Sequence, residues 1–410
     1  MQPGKILKIL MSGFGAAGTT FLLQVVLSHS LSIESFGFYA ASNSLLSIIG
    51  PLASVGISGL FLRRACVTPE ETDSYLITAL RSLVITTILS FAITSVLLSR
   101  SNGNSVVATC LASFYFPTAG QYLLIAYFQA KERFNLVSIF QSVLPVGRLL
   151  AVLVFLIFTS TMQSVAFALL MAHVLTLGII FIIGKKYIVL PSFNLFSGFG
   201  NTFKFIRESV YYSLNGTLNV AQIQISTIVS ILLFGSASSA MYSSANTLLA
   251  ACYILPNLIF GTYFLPKYHK LDAQGALDKL PIKHGAIAFV MGIVLAAIVI
   301  GGADILVSYI YPDSFTESTY LLQVLSVSLP FRFFSTALGA SILSEINIRK
   351  KLIASVTAIT FQIGAVFIFS SYGIRFLAVS YVASEFVIAI LYYAIFSSQY
   401  NKIKLRPLSE

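Results

Sequence analysis

Apolar runs of roughly 20–30 residues follow one another along the chain, separated by short polar or basic segments. Twelve can be placed, at roughly 6–30, 36–62, 75–99, 105–129, 134–158, 161–184, 209–234, 239–264, 285–310, 318–346, 351–371 and 374–397. A helix needs about 20 apolar residues to cross the hydrocarbon core of a bilayer. Backbone polar groups cannot be left unpaired in lipid, so runs of this length are expected as helices. The pattern therefore predicts an all-α polytopic membrane protein with twelve transmembrane helices. The basic start, Met1 to Lys8, leads into an apolar run too long for a signal-peptide core, and reads as an uncleaved first span.

The twelve runs fall into two similar sets of six. Phe38-Tyr39-Ala40-Ala41-Ser42-Asn43-Ser44-Leu45-Leu46 has a second copy in Met241-Tyr242-Ser243-Ser244-Ala245-Asn246-Thr247-Leu248-Leu249. Tyr39 matches Tyr242 and Asn43 matches Asn246, at a constant separation of 203 residues, about half the chain. So long a period points to a duplicated half, not a solenoid. The expected layout is an N-terminal six-helix lobe (1–184), a cytoplasmic linker (185–208), a C-terminal six-helix lobe (209–397) and a cytoplasmic tail (398–410), the lobes being pseudo-symmetric. The linker alternates aromatic residues with Gly, Lys204 and Arg207 over its second half. It fits either a short helix lying in the membrane interface or a solvated tether.

Composition changes the picture in one respect. The chain is 57% hydrophobic and only 10% charged, against about 25% charged residues in soluble domains, so most of its surface faces lipid. With no Trp, its 20 Tyr must supply much of any interfacial aromatic belt. The net charge of +11 is explained by topology. With the N-terminus in the cytoplasm, 20 of the 25 Lys and Arg fall in cytoplasmic segments, and only Arg100 and Arg375 in outer loops. This asymmetry orients the protein with both termini cytoplasmic. Such dispersed cations form no basic groove, which argues against nucleic-acid binding. Cys66, Cys110 and Cys252 show no metal-ligand spacing, and no metal site is expected.

The remaining charges lie inside spans, where each is costly and should face protein or water. Arg148, in span five, shares a helix face with Ser138, Gln141 and Pro145; Arg332, in span ten, shares one with Ser328, Ser335 and Gly339. Arg81 lies nearer the cytoplasmic end of span three, Glu385 in the middle of span twelve and Asp304 near the outer end of span nine. Span seven carries Tyr212, Asn215, Asn219, Gln222 and Ser226 within a narrow arc, and span one presents Gly13, Thr20 and Gln24. Asn43 and Asn246 sit near the outer ends of spans two and eight. Two matching helices, each polar on one side, suggest a central cavity between the halves. Amides both donate to and accept from sugar hydroxyls. The same amides also serve as interhelical glue. Arg148 and Arg332 fit either an anion-attracting cavity or bundle-stabilising pairs. Glu385 fits either a structural partner of one of them or, like Asp304, a site for a coupling ion, H+ or Na+. His173, in span six, reads as a packing residue.

These residues carry a family resemblance. Leu31 to Tyr39, the Gly59-Leu60 to Arg63-Arg64 exit of span two, Leu233-Phe234-Gly235, Met241 to Ala245, Leu265-Pro266-Lys267, and Tyr311-Pro312 through Val327 with Arg349-Lys350-Lys351 beyond, occur in the order of the polysaccharide (O-antigen and capsule) flippase pattern. The chain resembles that branch of the multidrug/oligosaccharidyl-lipid/polysaccharide exporter superfamily. The resemblance implies two six-helix lobes around a central cavity lined by spans one, two, seven and eight, working by alternating access. It implies a polyprenyl-diphosphate-linked oligosaccharide as cargo, moved to the outer leaflet of the bacterial inner membrane in the course of O-antigen or other lipopolysaccharide biosynthesis, alongside other glycan-assembly membrane proteins. No cofactor is expected. A cation-coupled drug antiporter of the same superfamily is the alternative, but spans one and seven hold no Asp or Glu to bind a cation. A lipid-linked peptidoglycan-precursor flippase would be expected to have further spans and a basic first one. An enzyme is disfavoured, because the outer loops are short and no acid pair, nucleophile triad or metal cluster is present.

Overall fold

The computed structural model describes residues 3–102, 104–188, 199–265, 267–268, 271, 279–342 and 345–404. It is an all-α membrane protein in two compact units, Met1–Gln224 and Ile225–Glu410. Among the described residues, ten helices are long and apolar enough to cross a membrane, and a bent pair adds an eleventh.

In the N-terminal unit, α1 (Pro3–Ser30) and α2 (Ile33–Gly50) are joined by a turn in which the Ser32 hydroxyl accepts from the backbone N–H of Ser35, an N-cap that starts α2 cleanly. A π-helical turn, Pro51–Val55, joins α2 to α3 (Gly56–Val67), so the expected span 36–62 is one path with a widened turn. Pro51 causes the irregularity by removing a backbone donor. Then follow α4 (Thr72–Asn102), α5 (Ser105–Ala112), α6 (Tyr115–Ala130), α7 (Phe134–Leu156) and α8 (Met162–Tyr187). The expected span 105–129 is thus two helices, broken at Ser113–Phe114, shortly before Pro117.

The C-terminal unit repeats these irregularities. α9 (Phe199–Phe234) leads through Gly235 to α10 (Ser236–Cys252). Gly235 has φ +86°, which a side chain would resist. α10 starts 203 residues after α2, as the motif requires, and a π-helical stretch, Asn257–Phe264, again follows a proline, Pro256. After α11 (Leu280–Ile310), the expected span 318–346 is likewise broken into α12 (Glu317–Ser326) and α13 (Leu329–Ser341), bent by 44°. α14 (Glu345–Ile368) and α15 (Ile374–Lys404) complete the unit. Both broken spans have a serine at the break that donates to a carbonyl three residues back: Ser113 to Cys110 and Ser328 to Leu325, each at 2.6 Å.

The first part of the expected linker, 189–198, lies outside the described residues; from Phe199 onward the chain is helical. At about 1.5 Å per residue, the 36-residue α9 is far longer than a bilayer core is thick. Its first turns are held in the N-terminal unit by the buried Phe205, by an ion pair between Arg64 and Glu208, and by the Arg64 guanidinium over the Phe205 ring at 5.0 Å. The chain passes from one unit to the other at Gln224/Ile225, within α9, whereas the expected linker covers 185–208.

Two faces of α11 illustrate how these helices sort their residues. Ile287, Val290, Val294 and Ile298 are exposed along one side, a stripe suited to lipid. Gly285, Ala288, Gly292, Ala296 and Ala303 are buried along the other. Small residues let helix backbones approach closely, and α11 packs on α13 there. A Cβ at Gly292 would lie 2.6 Å from Cα of Pro330 and 2.9 Å from the carbonyl oxygen of Leu329. Both obstacles are backbone, so only separation of the helices relieves the clash. Gly292→Ala should therefore destabilise the protein by about 1–3 kcal/mol, seen as a lower unfolding midpoint in detergent. An unchanged midpoint would show that α11 and α13 do not meet so closely.

Candidate functional site

The N-terminal unit contains a cavity of about 640 Å³. Its walls come from α1 (Gly13, Ala16, Ala17, Thr20), α2 (Asn43, Ser47), the start of α3 (Ser58, Gly59), α6 (Thr118, Gln121, Gln129) and α7 (Gln141, Pro145, Arg148). Gly and Ala on α1 leave space, while the amides and hydroxyls make that space polar. Gln141 accepts from Ser12 on α1 at 2.6 Å, and Pro145 sits inside α7 one turn before Arg148.

Among the described residues, Arg148 is the only charged one lining the cavity. It is 8% exposed. Its Nη2 donates to the Tyr39 hydroxyl at 3.2 Å and, at 3.5 Å, to Oδ1 of Asn43. The guanidinium lies 5.3 Å from the centre of the Phe114 ring, a favourable cation–π distance. Phe114 stands at the break between α5 and α6, so that irregularity supplies the platform under the cation. Ser113, beside it, meets Nδ1 of His173 at 2.7 Å, and Phe114 packs edge-on against the His173 ring. Among the described residues, no carboxylate reaches ion-pairing distance of Arg148.

Arg332 is placed differently. In the C-terminal unit its Nη1 donates to Oε1 of Glu385 at 3.1 Å, and Glu385 is completely buried. The guanidinium also lies over the Tyr253 ring at 5.2 Å. The Tyr253 hydroxyl in turn meets those of Tyr381 at 2.8 Å and Ser328 at 3.1 Å. Of the two roles left open for Glu385, the geometry provides the ion pair, with Arg332 as its partner.

A family model described as "Polysaccharide biosynthesis protein" matches residues 4–270, about two thirds of the chain and all of the cavity. The chain belongs to the polysaccharide biosynthesis protein family. No curated protein matches it in sequence. Its fold is that of solved transporters. A structure described as the inward-facing conformation of a multidrug resistance MATE family transporter of the MOP superfamily aligns with TM-score 0.76 at 16% identity, over 95% of this chain and 96% of that one. The lipid II flippase MurJ, in an inward closed conformation, aligns with TM-score 0.71 at 15% identity, over 97% and 90%. A MOP superfamily transporter from Pyrococcus furiosus, described as having a binding pocket of reverse polarity, aligns with TM-score 0.66 at 16% identity, over 98% and 96%.

In this member of the polysaccharide biosynthesis family, Arg148, Asn43, Thr20 and Gln141 come together around one cavity. Gln24, half-exposed on α1, and Arg81, half-buried on α4, are not among its lining residues. On α9, Gln222 is fully buried and Asn219 half-buried; the side chains of Tyr212 and Asn215 lie outside the described residues. Ser226 accepts from Gln362, and Gln224 accepts from Ser44 at 2.9 Å. Part of the polar content of α9 therefore bonds helices together. Asn246 is buried on α10, and Asp304 is exposed near the end of α11. Sequence reasoning passed over α6. Yet Thr118, Gln121, Tyr122, Ile125, Ala126 and Gln129, spaced by three or four residues, form one helix face, and all of them line the cavity.

Proposed function

We propose that the chain is a flippase that moves a polyprenyl-diphosphate-linked oligosaccharide, an O-antigen or capsule repeat unit, from the cytoplasmic to the outer leaflet of the bacterial inner membrane by alternating access. The observation that carries this reading is the guanidinium of Arg148, the one charged group among the described lining residues, beside a cavity rich in amides and hydroxyls. A sugar headgroup cannot enter hydrocarbon without losing its hydrogen bonds, at several kcal/mol per polar group. A cavity rich in Gln, Asn and Thr replaces those bonds while the prenyl chain stays in lipid. Membership of the polysaccharide biosynthesis family and a fold shared with a lipid II flippase support the same reading. A cation-binding antiporter would need a carboxylate in such a cavity, and none is among its described lining residues. No step here calls for catalysis, so the protein acts as a carrier. The distribution of Lys and Arg supports a cytoplasmic position for both termini.

The test is reconstitution. Vesicles holding the purified protein should bring a lipid-linked oligosaccharide to the opposite leaflet, measured by its accessibility to an added glycosidase. Equal rates in protein-free vesicles would refute the proposal.

A further inference from the structure

The first turns of α9 have two faces. Thr202, Phe205 and Ser209 are buried against the N-terminal unit, while Phe203, Lys204, Arg207 and Val210 are exposed. Steps of three and four residues put each set on its own side of the helix. The inner side is occupied: Phe205 shares a core with Ile183 and Tyr187 of α8, and Glu208 pairs with Arg64. The outer side sets a phenyl ring, 70% exposed, beside two cations. We infer that this outer face is a docking surface for anionic phospholipid. Lys204 and Arg207 take the headgroup charge, and Phe203 lies at the top of the acyl chains. The inference uses the orientation supported above and not the identity of the cargo.

Depth is the first support. The Ser82 hydroxyl of α4 donates to the backbone carbonyl of Thr202 at 3.4 Å. A stripe of exposed Ile, Leu and Val runs along α4 from Ile85 to Leu97, and its start marks the cytoplasmic edge of the hydrocarbon. Ser82 precedes Ile85 by three residues, about 4.5 Å of helix rise. The headgroup layer on one side of a bilayer is about 5–7 Å thick. Thr202 is therefore held at that layer, and Phe203 and Lys204 follow it directly. The exposed acids Glu70, Glu71 and Asp73 lie more than three turns before Ile85, toward water.

Charge is the second. Glu208 is the one carboxylate among residues 199–210, and its pairing with Arg64 takes it out of the balance of the outer face. Two cations are left there. The cytoplasmic leaflet is negatively charged, and its potential falls off within about one Debye length, so only cations held close to it respond strongly. Long Lys and Arg stems reach headgroups while their methylenes stay on apolar surface. An apolar ring next to such cations is the pattern of helices that lie in the interface. A zwitterionic surface would satisfy the ring but give the two cations no net attraction.

The chain has no Trp, so Phe203→Trp supplies a single fluorescent reporter at an exposed position. The full-length variant is placed in phosphatidylethanolamine vesicles that contain, as the minor lipid, phosphatidylglycerol or phosphatidylcholine brominated near the headgroup end of one acyl chain. Bromine quenches the indole on contact. Each Lys or Arg near an anionic surface contributes about fivefold in affinity. Brominated phosphatidylglycerol should therefore reach half-maximal quenching at about a twentyfold lower fraction than brominated phosphatidylcholine. High salt should erode that preference, and adding Lys204→Gln with Arg207→Gln should abolish it. Equal quenching by the two lipids would overturn the inference, as would quenching by neither or a preference unchanged in the neutralised variant. The unaltered chain gives a second reading, because a lipid that binds the folded protein raises its unfolding midpoint. In mixed micelles phosphatidylglycerol should raise the midpoint more than phosphatidylcholine does, and equal midpoints would count against the surface. Neither reading depends on transport. If no lipid preference is found yet the reconstituted protein flips lipid-linked oligosaccharide, only the docking surface is lost; if the preference is found and flipping fails, only the flippase reading is lost.

Discussion

Arg148→Gln should remove most surface glycan from cells that depend on this protein, while the protein itself remains folded and inserted. A charge-assisted hydrogen bond to a buried group contributes about 1.5–3 kcal/mol, so losing it from the path should slow export by roughly ten- to a hundredfold. Stability should move little, or rise. A guanidinium 8% exposed without a carboxylate partner among the described residues is a net cost to the folded state. Gln keeps a donor for the Tyr39 hydroxyl without that cost. Arg148→Lys should be intermediate, since an ammonium supplies the charge but not the planar fork. Surface glycan is read on gels and the folded fraction by the unfolding midpoint in detergent. Normal glycan in the Gln variant would remove Arg148 from the path. A strongly lowered midpoint would mean that the residue holds α7 to α2 more than it serves cargo.

The contrast between Arg148 and Arg332 is the point at which the sequence was least informative. Both lie mid-span, both share a face with small or hydroxyl residues, and sequence alone left cavity and ion pair open for each. What separates them is a tertiary fact. Glu385, 53 residues beyond Arg332 in the chain, reaches it, and among the described residues no carboxylate reaches Arg148. Helical periodicity gives the side of one helix on which a residue lies, but not which helix faces it. The fold itself was more legible, because in lipid each span must satisfy its own backbone and apolar length alone locates it. The duplication was legible too, down to the 203-residue offset between the starts of α2 and α10. The breaks in spans four and ten were not. Pro117 and Pro330 marked the neighbourhood, but the chain departs from the helix two to four residues earlier, at Ser113–Phe114 and Val327–Ser328, where serine side chains take over the bonding. The α6 face was readable and unread: two glutamines and a threonine at helical spacing resemble glue until a cavity is seen beside them.

Glu385→Ala should be among the most damaging single substitutions in the C-terminal unit. The carboxylate is fully buried and 3.1 Å from Nη1 of Arg332, itself 9% exposed. Removing it leaves a guanidinium near Tyr253, Tyr381 and the cation Lys351 with no other carboxylate in ion-pairing reach among the described residues, a change that costs about 3–5 kcal/mol in comparable buried pairs. The Tyr253 ring, 5.2 Å from the guanidinium, offsets only a part, about 2 kcal/mol at best. The pair as a whole is another matter. Desolvating two ions consumes much of their mutual attraction, so replacing both by apolar groups of similar volume is often neutral or stabilising. Arg332→Met with Glu385→Leu should therefore recover most of the unfolding midpoint that Glu385→Ala loses. The double variant also separates structure from transport. If the pair only holds α13 to α15, the recovered protein exports glycan normally, at a rate independent of the proton gradient across the membrane. If Glu385 takes up and releases a proton during the cycle, the double variant will be stable and inactive, and Glu385→Gln, which preserves shape and hydrogen bonding without charge, will be inactive with it.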